Sequence, residues 1–451
     1  MRFQLKPART FRTGLPVAVL LAAALLSFGQ PIGAQMSTQD APPQKNSAAK
    51  SSAANARELL AQAQQYLNKS DFPHAITVLG QYLALEPDDA VAHFQLGYAL
   101  SNIKHDGDAA KEYARAAELK PDFAEAHLNL GLALLETDPA AAAVSFKRAA
   151  ELMPKQAKPL FLEGSALERS GNDAGAVTLY GQAADLDPKS FDIYFAWGRA
   201  LLRSGDAAGA EQRFRQALAL RADSAPGRLG LANSLTEQHK TDAAAAEFAE
   251  YLKVQPADRG ARLQFASLLF DAGKPNDALA ELDRADAGGT PSSESARLRA
   301  SIAISQEQWD TAAKLIESGL AAAPNDAVLH AELGHVLLQK KDYVDARGEL
   351  QKSLGIDPKP IEVRRDLMDA EYLSGDCAAA LQTLDQLEQH EPPKAGAWFL
   401  RATCYDKQQR IAEAASAYQK FLDMDQNRDD KQDFQARERL KVLERELNKK
   451  K

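Results

Sequence analysis

The side chains with chemical reach are sparse: eight histidines and two cysteines, Cys377 and Cys404, in 451 residues. Catalysis would demand recognisable spacing among them. A phosphate-cradling P-loop, a dinucleotide-binding GxGxxG, an HExxH zinc site, a CxxC pair and a GxSxG nucleophile elbow are all missing from the sequence. No histidine stands at ligand spacing from another histidine or from a cysteine, so no metal site is expected. The acids are expected on solvated helix faces or in turns such as Ser204-Gly205-Asp206. This pattern points away from an enzyme and from any cofactor. It points toward a chain whose chemistry is hydrogen bonding and apolar contact, as in a binding protein.

Composition sets the outer limits. A formal charge of −8, with 26% charged and 45% hydrophobic residues, suits a folded chain rather than a disordered one. No clustered Lys/Arg face marks a nucleic-acid partner. Arg2, Lys6, Arg9 and Arg12 precede an apolar run from Leu15 to Phe28, followed by Ile32-Gly33-Ala34. Basic head, short apolar core and small residues are the layout of a secretory signal peptide over 1–34, cleaved before Gln35. The run is too short to span a bilayer, so no integral span is expected once the segment is removed; an uncleaved anchor is the lesser alternative. The protein is thus expected to be exported, to a bacterial periplasm or beyond. Residues 35–55 are almost free of bulky apolar side chains and are expected to form a flexible linker.

The elements that must position any binding group repeat. Ala75, Ala109, Ala142, Ala176, Ala210, Ala244, Ala278, Ala312, Ala346, Ala380 and Ala414 recur every 34 residues, except for one interval of 33 between Ala109 and Ala142. Four residues after each stands a large side chain, as in Tyr113, Phe146, Tyr180 and Phe214, which puts both on one helix face. Upstream runs a second small column, Ala63, Gly97, Gly131, Gly164, Gly198, Ala232, Ala266, Ala300, Gly334 and Ala402, broken by Met368. Pro87, Pro121, Pro154, Pro188, Pro256, Pro324, Pro358 and Pro392 follow the second helix and stop it. Small residues in both helices predict a close crossing, and each helix pair can bury its apolar face only against its neighbours.

A 34-residue helix-turn-helix with these columns resembles the tetratricopeptide repeat family. The resemblance spans eleven repeats over 56–428. It implies an all-α, right-handed superhelical solenoid whose first helices line a concave groove. Residues 429–451 carry Phe434, Ala436, Leu440, Leu443 and Leu447 among many charges and are expected to form a capping helix. Gly288, Gly289 and Pro291 predict an early helix stop and a possible hinge near 286–295. His93, His127 and His330 occupy a column where the family often has tryptophan, and read as packing substitutes in a helix interface.

The resemblance also selects groove columns. Leu60, Phe94, Leu128, Phe161, Phe195, Leu229 and Leu263 form one ladder, beside which stand Tyr98, Asn102, Arg169, Arg199, Arg203 and Asn233. Two readings compete for the ladder: packing between repeats, or apolar pockets for a peptide or protein partner held by the arginines and asparagines. On the second reading, removing Arg199 and Arg203 should weaken binding and leave stability nearly untouched. The family's packing implies that the Cys377 and Cys404 columns approach one another, as a disulfide in an oxidising compartment or as two buried thiols. The functional expectation is an exported scaffold binding a protein or peptide in its groove. The rival is a spacer component of an envelope or exopolysaccharide-secretion complex.

Overall fold

The computed structural model describes residues 46–425 and 430–449; the expected signal segment and the first part of the linker, 35–45, lie outside them. The described residues form 23 helices and no strand. Twenty-two of these make eleven antiparallel pairs, from Asn46–Asn68 with Phe72–Leu83 to Ala395–Lys407 with Ile411–Asp425, and each helix packs on the helices before and after it. The fold is the all-α, right-handed superhelical solenoid expected. Repeats are numbered here 1 to 11, from the one holding Ala75 to the one holding Ala414. First helices of consecutive repeats also touch, as in repeats 4 to 6, 7 and 8, and 9 and 10, so they form the inner wall.

The linker is shorter than expected, because residues 46–55 already belong to the first helix. Four of the ten residues from Asn46 to Asn55 are alanine, which costs little to order in a helix, and the helix packed from Ala56 onward supplies the nucleus they extend.

Every one of the eleven recurring alanines is fully buried. The contact they surround is a large side chain of the second helix lying on the small residue of the first. A Cβ added at Gly97 would stand 2.9 Å from the Tyr113 ring, one at Gly131 2.6 Å from Phe146, one at Gly198 3.0 Å from Phe214, and one at Gly334 2.5 Å from Leu350. Those glycines are therefore chosen for space.

The turn inside each repeat needs one left-handed residue. Ser70, Lys104, Gly171, Gly205, His239, Gly273, Glu307, Lys341, Gly375 and Gln409 all have positive φ, each five residues before its alanine. The following amide then bonds back to a carbonyl five residues earlier, as His105 N–H does to Leu100 O at 3.0 Å. Repeat 3 alone lacks such a residue: Asp138 N–H bonds to Leu134 O, only four back, at 2.7 Å. The 33-residue interval is thus a deletion in a turn, and the helix contacts on either side keep their register.

Two seams interrupt the stack. The second helix of repeat 7 ends at Asp286 and repeat 8 begins at Ser293; the second helix of repeat 10 ends at Glu388 and repeat 11 begins at Ala395. At both, the adjoining helices touch sparsely. An arginine bridges each gap with the same spacing. Arg299 reaches Asp283 at 2.8 Å and Asp286 at 3.2 Å, and Arg401 reaches Asp385 at 2.6 Å and Glu388 at 2.7 Å. The first seam coincides with 286–295; the second had no counterpart in the sequence reading.

The last helix, Asp430–Lys449, covers repeat 11 with Ala436, Leu440 and Leu443. Phe434 does not join them and is 65% exposed. The buried set steps by four and three residues along one face, and a position two residues from Ala436 points to the opposite side.

The ring-on-glycine contact makes Gly131→Ala a stringent test. Pressing a methyl group into the Phe146 ring should cost about 1–3 kcal/mol. Gly348→Ala, where a Cβ meets nothing within 4 Å, should be neutral or stabilising by up to about 1 kcal/mol. Urea denaturation midpoints of the two variants compare them directly; equal midpoints would remove the contact from its role.

Candidate functional site

The inner wall of first helices is where sequence reading placed the binding residues, and the structure divides them. Phe94, Leu128, Phe161 and Phe195 are half-buried and belong to core packing. Phe94 lies between Tyr113 and Phe123 with its ring tilted to both, at 5.5 and 4.9 Å between ring centres, and Phe161 lies 5.7 Å from Tyr180. These contacts support the packing reading for the buried half of each side chain. Asn102 spends its amide on the carbonyl of Tyr98 at 2.8 Å, within its own helix end. Open to solvent are Tyr98, 46% exposed, and Leu132 at the same position one repeat on, 40% exposed. Asn233 is half-buried and makes no hydrogen bond among the described residues.

The three arginines are not free groove cations. Arg169 pairs with Glu136 at 2.8 Å. Arg199 and Arg203 close on Glu168 at 2.6 and 2.8 Å, and Arg203 also holds Asp173. The Glu168 side chain is only 3% exposed and accepts a further bond from the Tyr180 hydroxyl at 2.7 Å. Burial and the Glu168 carboxylate push the Tyr180 hydroxyl pKa strongly up. The cluster ties repeat 4 to repeat 5, so removing both arginines would strand a buried carboxylate. The expectation of a stability-silent double substitution is corrected accordingly.

The acids are likewise not confined to solvated faces and turns. Glu168, Glu281 and Glu371 are buried. On the first helices of repeats 4, 7, 9 and 10, five carboxyls are pushed up by loss of water: Glu163, Asp271, Glu332 to about 7, Asp369 to about 6 and Glu371. Glu332 is the sharpest case, since its Oε2 is buried without a hydrogen-bond partner. Sequence reasoning missed these groups because an acid inside an amphipathic helix looks solvated until its neighbours are placed. The one usable signal was position: Glu332 precedes Gly334 by two residues and Asp369 follows Met368 by one, in columns beside the small residue.

The histidine column also changes meaning. His93 sets Nδ1 against Glu112 at 2.6 Å and Nε2 against the Pro87 carbonyl at 2.9 Å; His330 repeats both contacts with Glu349 and Pro324 at 2.6 and 3.0 Å. Arg262, in the same column, donates to Glu281 at 2.7 Å and to the Pro256 carbonyl at 2.9 Å. These residues are polar braces rather than packing substitutes. His127 keeps the loop contact alone, with the Pro121 carbonyl at 3.2 Å.

Cys377 and Cys404 share one core cluster as buried free thiols. Burial, then the hydrogen bond with Cys377, pushes the Cys404 thiol well up, away from the reactive thiolate.

Two measurements test these assignments. Arg199→Ala with Arg203→Ala should cost about 2–4 kcal/mol, and adding Glu168→Gln should recover most of it, since the amide keeps an acceptor for Tyr180. For Glu332 the folded carboxyl titrates above the ordinary value of 4.5, so the folded state binds the proton more tightly. The penalty is fully present above about pH 7 and is relieved as pH falls toward 4.5. Glu332→Gln should therefore stabilise by about 1–3 kcal/mol at pH 8 and by little at pH 4. Thermal unfolding across that window, with parallel curves for both proteins, would refute it.

Models of the tetratricopeptide repeat match residues 201–259, 235–302 and 303–368, and a second such model matches 161–228 and 366–429. A third, described as a TPR repeat, matches 107–138. No curated protein matches the chain. Among solved structures, MamA from Desulfovibrio magneticus RS-1 is 22% identical over 38% of this chain and 98% of its own, with a TM-score of 0.36. Yeast Tom70 is 14% identical over 87% and 96%, with a TM-score of 0.39. A tetratricopeptide repeat protein from Parabacteroides merdae is 20% identical over 63% and 99%, with a TM-score of 0.37. With repeat models covering 107–138 and 161–429, and a helix pair for every recurring alanine, the chain belongs to the tetratricopeptide repeat family.

Proposed function

We propose that the protein is an exported, non-catalytic adaptor that holds a protein or peptide partner against the inner wall of its solenoid. The observation that carries this reading is that the wall is not self-satisfied. Tyr98 and Leu132 leave adjacent apolar surface open, and farther along Glu332 has a buried oxygen without a partner. A wall that only spaced other components would gain nothing from such groups, whereas a bound segment covers apolar surface and supplies donors. Export rests on the basic and apolar layout of residues 1–34. No helix among the described residues is long and apolar enough to cross a membrane.

A photo-reactive benzoylphenylalanine placed at Leu132, and separately at Val144, tests the reading in living cells. Val144 is 70% exposed on a second helix and serves as the outer-surface control. The inner-wall probe should capture a discrete partner and the outer one should not; capture from Val144 alone would overturn the groove. Mass spectrometry of the same purified protein should find its N-terminus at Gln35, and a soluble exported chain retaining Met1 would overturn the cleavage.

A further inference from the structure

The second seam holds a cavity of about 490 Å³, between the first helices of repeats 10 and 11. Met368, Tyr372, Leu384, Leu387 and Phe399 give it an apolar lining. Its origin can be traced through the sequence columns. The position before the small residue holds Leu96, Leu130, Leu231, Leu333 or Leu367 in five repeats, but Arg401 here, as it holds Arg299 at the first seam. The Arg401 guanidinium reaches back to Asp385 and Glu388, and the two helices it links touch only sparsely. A buried polar clamp thus stands where those repeats place an apolar plug. Met368 adds an adaptable wall where every other repeat has glycine or alanine.

The charges around the cavity do not balance. Arg365 is committed to Glu362 and Glu391, and Lys394 reaches only Glu391, at 3.9 Å. Asp369, at the cavity wall, makes no ion pair among the described residues, and Glu388 Oε1 is buried without a hydrogen-bond partner. Among the described residues at the cavity, carboxylate oxygens are left over beside one loosely held lysine. We propose that this cavity receives a large apolar side chain of a partner segment whose neighbouring lysine or arginine pairs with Asp369. The inference rests on the groove reading above and adds a chemical preference to it: an extended basic-apolar segment, seated at the C-terminal end of the wall.

Fluorescence anisotropy with the full chain tests it, using three labelled nonapeptides with Gly/Ser flanks and Phe-Lys, Phe-Gln or Phe-Glu at the centre. The Phe-Lys peptide should bind at least tenfold more tightly than the Phe-Glu peptide. Asp369→Asn should reduce Phe-Lys binding to the level of Phe-Gln. Gly396→Trp should abolish binding of all three, because Gly396 lines the cavity and a Cβ there meets nothing within 4 Å, so the indole can enter the cavity; an unchanged melting temperature checks that the fold is kept. Binding that ignores both variants but is lost in Leu132→Lys would overturn the cavity and leave the groove standing. Binding of none of the peptides would overturn the inference, while crosslinking from Leu132 continues to judge the groove.

Discussion

The solenoid depends on one contact repeated along it: a large second-helix side chain laid flat on a first-helix residue too small to push it away. Tyr113, Phe146, Tyr180, Phe214 and Phe248 are almost completely buried there, as are Leu282 and Ile316. The contact fixes how closely two helices cross, and so fixes the step from one repeat to the next. It also explains which irregularities the chain can carry. A residue lost from the turn of repeat 3 leaves the contact intact, because Gly131 and Phe146 still meet. The single large residue in the small column, Met368, still packs against the cluster that holds Leu384, and it stands beside the seam cavity.

Polar braces finish what packing begins. Each second helix ends in carbonyls without intrahelical donors, and the loop that follows would otherwise leave its own carbonyls to water. A cationic or imidazole side chain six residues after the loop proline serves that carbonyl and a carboxylate of the following second helix together. His93, His330 and Arg262 do so with one geometry. Arg228 performs the same task where alanine replaces the proline, donating to Ala222 O at 3.3 Å and Glu247 at 3.2 Å. What the column conserves within this chain is two donors at fixed reach, which arginine and histidine can both supply.

This difference in physics decides what was legible beforehand. Helix pairs, their number, the capping helix and the crossing contact follow from residue size at a fixed period, and size is visible in the letters. Which way a long polar side chain turns is not. Arg199 and Arg203 were legible as groove positions but not as partners of Glu168, since that pairing needs two adjacent helices placed to within an ångström or so. The glutamate itself looked like surface. Phe434 was misplaced for a smaller reason: it sits among apolar neighbours but two residues out of phase with them. The Arg299 and Arg401 bridges could have been found, because each reaches acids 13 and 16 residues back, and both follow six-residue linkers.

Charge on the first helices is handled in two ways. Arg169, Arg199 and Arg203 in repeats 4 and 5 are paired with carboxylates, whereas Glu163, Asp271, Glu332 and Asp369, in repeats 4, 7, 9 and 10, are pushed up by loss of water. A buried pair contributes little to a passing ligand, since its charge is already answered. An unanswered carboxylate in a water-poor wall attracts a cation more strongly than one in open solvent. A carboxyl short of water is held toward its neutral form, so a cation brought beside it would favour the charge that burial disfavours.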